Sequence, residues 1–269
     1  RGKLVGPWQF IGLGPPGSVQ LSNGRVLAPG YHSYVRGSDD SIVTTVAQLY
    51  NNFALGHVLV SDDDGDSWSL GSPLGFGDGL GEGANEDQMA QLANGSVIVE
   101  SRSLATGSPQ FRVQARSDDN GDTFTPTGLV KDLPQVFNGV EGSLVHGVGS
   151  TLYLSQPDPS PPKSPVQSLL NIIGCKARLN TRERMTIFRS TDGGNTYPDK
   201  TLIDPGFAGY SSMEFEDDTL FLLYEQADPV PQDDVLAVLE NKLTGNVVSQ
   251  NLEQLPTRLV FRVIPTREL

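Results

Sequence analysis

The chain has 269 residues, with 19 lysines and arginines against 32 aspartates and glutamates and a formal net charge of −13. So acidic a balance excludes a nucleic-acid footprint or an anionic membrane surface, both of which need clustered basic side chains. It leaves room for a small anionic ligand, because charges beyond about 10 Å are screened and a local group of arginines still acts.

Thirty glycines and 19 prolines, few helix-type amphipathic stretches, and short apolar runs broken by turn residues predict an all-β chain with enough length for a large core. The single Cys175 forbids an internal disulfide and reads as a packed thiol. No apolar run is long enough to span a bilayer and no signal peptide is present, while a start at Arg1 without methionine points to further sequence upstream.

In chain order, "SVQLSNGRVLAPG" (18–30) reads strand, tight turn, strand, and "SDDDGDSW" (61–68) follows as an acidic turn. The pattern returns as "DQMAQLANGSVIVES" (87–101), then the strand "FRVQARS" (111–117), then "SDDNGDTF" (117–124). Within that second hairpin Asn94-Gly95-Ser96 is a glycosylation sequon, but its place between two strands favours a two-residue turn. A third hairpin, "GSLVHGVGSTLYLSQ" (142–156), leads into a Pro/Ser-rich stretch at about 157–183 that includes a possible helical turn, "VQSLLNII". That stretch reads as an insertion inside the third unit, since the strand "MTIFRS" and the turn "STDGGNTY" (190–197) lie beyond it. The fourth hairpin, "YSSMEFEDDTLFLLYE" (210–225), has no such turn after it.

All three acidic turns read Ser-x-Asp-x-Gly-x-(Ser/Thr)-aromatic. The physical reading is a reinforced turn: Asp63, Asp119 and Asp192 accept from backbone N–H groups, Gly65, Gly121 and Gly194 take a positive φ, and Trp68, Phe124 and Tyr197 pack the turn onto a sheet. A calcium loop is the alternative, but an EF-hand would need a glutamate at its twelfth position and flanking helices, and neither is apparent. Hairpin, third strand, boxed turn and fourth strand make a four-stranded antiparallel meander, and radial repetition of such units makes a β-propeller.

The meander also assigns faces. If the first strand of each unit enters at one rim, the hairpin turns and the boxes lie together at the opposite rim. Glu86, before the first strand of unit two, Arg102, after its second strand, Arg182, before the third strand of unit three, and Tyr210, opening unit four, then share the box-free rim. Singly, each is an ordinary solvated rim group. Together, two guanidinium groups offer forked donors to a carboxylate and a glutamate beside a tyrosine can draw off its proton.

Four segments carry a family resemblance: "NEDQMAQLANGSVIVESRS", "RERMTIFRSTDGGNTY", "GYSSMEFEDDTLFLLYE" and "GPPGSVQLSNGRVLAPGY". The chain resembles the sialidase (neuraminidase) superfamily of boxed-turn propellers, on the branch of the animal lysosomal and cytosolic exo-α-sialidases, with the likeness weakening after about residue 243. The resemblance implies a six-bladed β-propeller of which residues 1–269, as one partial domain, supply about four blades. It further implies a nucleophilic Tyr210 activated by Glu86, with Arg102 and Arg182 as two of three arginines that bind the substrate carboxylate; Arg184 is a lesser candidate for the last role. No cofactor or metal is implied. The implied partner is a sialylated glycoprotein, glycolipid or oligosaccharide, from which a retaining glycoside hydrolase releases terminal sialic acid. Family members also carry an earlier arginine in a Phe-Arg-Ile-Pro-like strand and an aspartate acid/base soon after it. Neither segment is found here, so the resemblance implies an N-terminal truncation of roughly two blades. A trans-sialidase shares these features. A non-catalytic propeller that binds sialylated glycans or serves as a scaffold is the reading from a different class, although it gives no reason to set Glu86 beside Tyr210.

Overall fold

The computed structural model describes residues 10–14, 17–34, 53–75, 84–103, 110–136, 139–160, 182–228 and 257–269. In the first sheet, β1 (Phe10–Leu13) and β2 (Val19–Gln20) both pair with β3 (Val26–Tyr34), which is followed by β4 (Phe53–Ser61) and β5 (Ser69–Pro73). The second contains β6 (Asn85–Gln91), β7 (Val97–Arg102), β8 (Gln110–Ser117) and β9 (Thr125–Gln135). The third is built from β10 (Ser143–His146), β11 (Leu152–Pro157), β12 (Glu183–Ser190) and β13 (Asp199–Phe207). The fourth has β14 (Ser211–Glu216), β15 (Thr219–Gln226) and β16 (Arg258–Pro265). All pairings are antiparallel. The innermost strands β6, β10 and β14 lie side by side across sheets. The described residues are therefore all-β, with four blades arranged as a β-propeller.

Two details depart from a uniform four-stranded meander. The innermost position of the first blade is shared by two short strands, and the fourth blade has three strands among the described residues. The proposed insertion falls between the paired strands β11 and β12; its residues 161–181, with Cys175 and "VQSLLNII", lie outside the described residues.

The hairpin turns form where the backbone can take a positive φ. Gly24, Gly95 and Gly149 do so at +91°, +91° and +68°. In the fourth blade Asp217 and Asp218 take +47° and +56°, the primed turn whose twist suits a two-residue hairpin. In the sequon the Asn94 side-chain oxygen accepts from the Ser96 N–H at 3.1 Å, and the Ser96 hydroxyl is buried on Asp118 at 2.6 Å. The segment thus serves as a turn.

The three boxes repeat one hydrogen-bond set. Ser61, Ser117 and Ser190 donate their hydroxyls to Asp63, Asp119 and Asp192 at 2.8, 2.7 and 2.8 Å. They accept from the N–H groups of Gly65, Gly121 and Gly194 at 2.8, 2.8 and 2.9 Å. Each aspartate also receives the backbone N–H and the hydroxyl of Ser67, Thr123 or Thr196. With three donors on each carboxylate, the boxes are reinforced turns. At Asp119 burial pulls the carboxyl up, but the bonds from Thr123 and Ser117 outweigh it and hold the group below the usual range. Asp119→Ala should therefore cost about 1–3 kcal/mol, the usual range for stranding donors to a charged acceptor. A lower melting temperature with unchanged activity per folded molecule is the expected result, since the box sits at the far end of β8 from the rim described below.

Three apolar cores hold the blades together. One joins Leu27, Val58 and Leu74 of the first blade to Met89, Val99, Val113 and Phe124 of the second. The next joins Leu92, Ile98 and Leu133 to Leu152, Phe188 and Tyr197, and the last joins Met185 and Ile187 to Met213, Leu220 and Tyr224. Phe124 and Tyr197 therefore reach back from their boxes to the preceding blade. At Gly121 this approach is so close that a Cβ would lie 2.6 Å from Leu27. Trp68 belongs to the first described blade, where it is 47% exposed and donates its indole N–H to the Gly65 carbonyl at 3.0 Å.

Candidate active site

The site is assembled where the innermost strands begin, at the end of the blades opposite the boxes. β6 is irregular there: Asn85 pairs with Arg102 and Gln88 with Glu100, so Glu86 and Asp87 together occupy the intervening position. Glu86 has a φ of +47°. A non-glycine residue in this region is strained and persists only where its surroundings fix it, and a bulge of this kind re-aims a side chain.

Glu86 so placed meets one residue of its own blade and one of the fourth. One carboxylate oxygen accepts from Arg102 Nη1 at 2.5 Å, and the other accepts from the Tyr210 hydroxyl. The same Arg102 nitrogen lies 3.1 Å from the Tyr210 oxygen. The Arg182 guanidinium stands over the Tyr210 ring, 5.4 Å from its centroid. Glu86 and Arg102 are buried, while Tyr210 is half-buried. The structure thus brings together all four rim residues singled out in the sequence. Glu86 lies inside β6 and Arg102 ends β7, whereas Arg182 and Tyr210 immediately precede β12 and β14. Arg184 takes a φ of +68° at the irregular start of β12. The contact with Tyr210 is made by Arg182.

Burial raises the Tyr210 phenol above its ordinary value, and the negative charge of Glu86 and their hydrogen bond add to this; Arg102 and Arg182 act in the opposite direction. At rest the tyrosine is therefore a neutral donor to Glu86. A proton can pass along that bond once a developing positive charge beside the phenol favours the phenolate.

Three charged residues behind the site were not singled out from the sequence. Arg112, wholly buried on β8, donates to Gln156 Oε1 at 2.6 Å and to the Val140 carbonyl at 2.9 Å. Glu141 accepts from the Ser211 N–H at 2.8 Å, and Glu225 accepts from the Tyr210 N–H at 2.9 Å. The repeat held a signal for Glu141: like Glu86, it is an acid standing at the entry to a unit's innermost strand. For Arg112 the alternation of β8 gave only an inward direction, which for an arginine carries no role by itself.

Asp87 is fully buried between the first two blades, with its carboxylate against Gly56, where a Cβ would lie 3.1 Å from Asp87 Oδ2. Burial pushes its carboxyl up to about 7, with nearby Glu86 adding to the rise. An acid whose folded value is raised must hold its proton in the fold while the unfolded chain releases it, so the penalty begins as pH rises above about 4, the unfolded value, grows through pH 5 to 7 and levels off above the folded value of about 7. Asp87→Asn should therefore gain stability relative to wild type between pH 6 and pH 8, by about 1.4 kcal/mol at one pH unit's worth of linkage. Paired melting curves at the two pH values check this; a difference independent of pH would mean that Asp87 is not protonated in the fold.

Among the described residues, no group of three His, Cys, Asp or Glu side chains is disposed to hold a metal ion. Nor is any helix among them long and apolar enough to cross a membrane.

Comparison with known proteins gives the chain its relatives. The model of the BNR repeat-like domain matches residues 3–223. A sialidase of Micromonospora viridifaciens is 28% identical over 168 residues, 62% of this chain and 23% of that protein. Sialidase-4 of Homo sapiens is 32% identical over 144 residues, 54% of this chain and 28% of that protein. The chain thus spans about a quarter of the length of these curated relatives. Among solved structures, the leech intramolecular trans-sialidase, with 2,7-anhydro-Neu5Ac bound, superposes with a TM-score of 0.61 at 20% identity, over 97% of this chain and 32% of that one. The Hadza microbial sialidase Hz136 superposes with a TM-score of 0.58 at 21% identity, over 81% and 36%. At those identities the structural likeness speaks for the fold, and it agrees with the repeat match and the curated relatives: the chain belongs to the sialidase superfamily of BNR-repeat β-propellers.

Proposed function

We propose that the protein is a retaining exo-α-sialidase, a glycoside hydrolase that releases terminal sialic acid from glycoproteins, glycolipids or oligosaccharides. The observation that carries this reading is the hydrogen bond from the Tyr210 hydroxyl to Glu86, with two guanidinium groups at the same phenol. Sialic acid bears a carboxylate on its anomeric carbon, which would repel a carboxylate nucleophile. A neutral tyrosine avoids that repulsion, and sialidases are the tyrosine exception among glycosidases. In the proposed reaction Tyr210 passes its proton to Glu86 as its oxygen attacks the anomeric carbon, and the bond to the aglycone oxygen breaks as that oxygen takes a proton from the acid/base aspartate that the resemblance implies. Water, giving a proton to that aspartate, then displaces the tyrosine oxygen, which recovers its proton from Glu86, and the two inversions retain the α configuration. Arg182 and Arg102 bind the sugar carboxylate and orient the anomeric carbon, which is where the positional gain arises.

The test is turnover of a fluorogenic aryl sialoside by the full-length protein, with the anomer of the released sugar followed by NMR. The α-anomer should appear first. Binding of sialosides without turnover would replace the enzyme by a sialoglycan-binding propeller. Arg182→Ala should weaken binding of sialic acid or its 2,3-unsaturated analogue by about 1.5–3 kcal/mol, the range for a lost charge-assisted pair. A neutral sugar of the same size should bind the variant and the wild type alike; equal losses for both would make Arg182 a structural residue.

A further inference from the structure

We propose that Glu141 is a positioning residue for Tyr210: from the third blade its buried carboxylate holds the backbone of the fourth blade at Ser211 and so sets the phenol against Glu86. The inference rests on the reading of Tyr210 as nucleophile.

Glu141 is 1% exposed and stands two residues before β10. Its Oε2 accepts the Ser211 N–H at 2.8 Å across the blade boundary. The other backbone groups around Tyr210 are tied within its own hairpin: its N–H donates to Glu225 Oε2 at 2.9 Å, and its carbonyl accepts from the Glu225 N–H at 2.9 Å. Those bonds fix the local conformation of Tyr210. They do not fix where the hairpin sits relative to the blades carrying Glu86 and Arg182. Among the described residues that is done by side chains of the third blade: Glu141 and Ser155, whose hydroxyl meets the Ser211 hydroxyl at 2.8 Å, act next to Tyr210, and Ser143 accepts the Met213 N–H at 2.9 Å further along the strand.

The anchor continues into the second blade. Arg112 donates to the Val140 carbonyl, the peptide group leading directly into Glu141, and it attracts both Glu141 and Glu86. A connected path thus runs from the blade of Glu86, through Arg112, Val140 and Glu141, to the residue after the nucleophile. Burial drives the Glu141 carboxyl up, with the Ser211 N–H and Arg112 opposing.

In the full-length protein, Glu141→Asp shortens the side chain and withdraws the acceptor from Ser211. It should lower kcat on an aryl sialoside about 10- to 100-fold, the scale of an ångström misplacement, while the Kd of the unsaturated analogue changes by less than about threefold. Glu141→Gln keeps both length and acceptor and should recover kcat to within about fivefold of wild type, since the bond to Ser211 survives. Ser155→Ala, a milder change in the same anchor, should reduce kcat several-fold and leave Kd alone. It also serves if the aspartate variant folds poorly, because unchanged kcat in either folded variant overturns the proposal. A glutamine variant as impaired as the aspartate one overturns it too, since charge rather than position would then matter. Tyr210→Phe in the same assay separates the failures. If it keeps the wild-type rate, the proposed function is wrong; if it is inactive while Glu141→Asp keeps kcat, only the positioning role is lost.

Discussion

Tyr210→Phe in the full-length protein should abolish measurable turnover of an aryl sialoside while leaving the melting temperature close to that of wild type. The substitution removes one oxygen and keeps the ring under Arg182. That oxygen is the atom that donates to Glu86 and lies 3.1 Å from Arg102 Nη1. Loss of a nucleophile that works with a paired base is a loss of several orders of magnitude, as in other enzymes whose catalytic residues act as a unit. Because the residues are interdependent, Glu86→Gln should be of similar severity, and the double variant little worse than either. The assay that checks this is initial rate per folded molecule. A rate within tenfold of wild type would move the nucleophile to another residue.

Arg102→Ala should have the next largest effect, and one of a different kind. Arg102 and Glu86 form a buried ion pair, with side chains only 6% and 9% exposed. Removing one member leaves an uncompensated buried charge, which costs about 3–5 kcal/mol. Stability and activity should therefore fall together, whereas Arg182, standing over the ring rather than in that pair, should affect ligand binding with little change in melting. The combination Glu86→Gln with Arg102→Met should regain much of the lost stability, because no charge is then stranded, and should remain inactive. Thermal melts of the two single variants and the double variant test the argument. Equal melting temperatures for Arg102→Ala and wild type would mean that the pair is open to water in solution.

Features whose hydrogen bonds close within a few residues are legible from local residue order. Each box forms its bonds between positions at most four apart, from serine to aspartate to glycine to serine or threonine, so the three turns and their glycines were legible from spacing alone. The hairpins were legible for the same reason. Strand parity then placed Glu86, Arg102, Arg182 and Tyr210 at one rim, because the direction of each strand follows from the turns at its ends. What those rim residues touch depends on contacts between blades. Glu86 and Tyr210 are 124 positions apart and meet because a bulge at a positive φ turns one acid toward the axis, an effect that alternation of period two cannot predict. That Phe124 and Tyr197 pack on the blade before their own was likewise invisible, since no local pattern records which blade lies beside which. The anchor of Glu141 on Ser211 spans 70 positions and two blades. A buried carboxylate of this kind leaves no periodic mark, because its partner is a backbone N–H that every residue type but proline supplies.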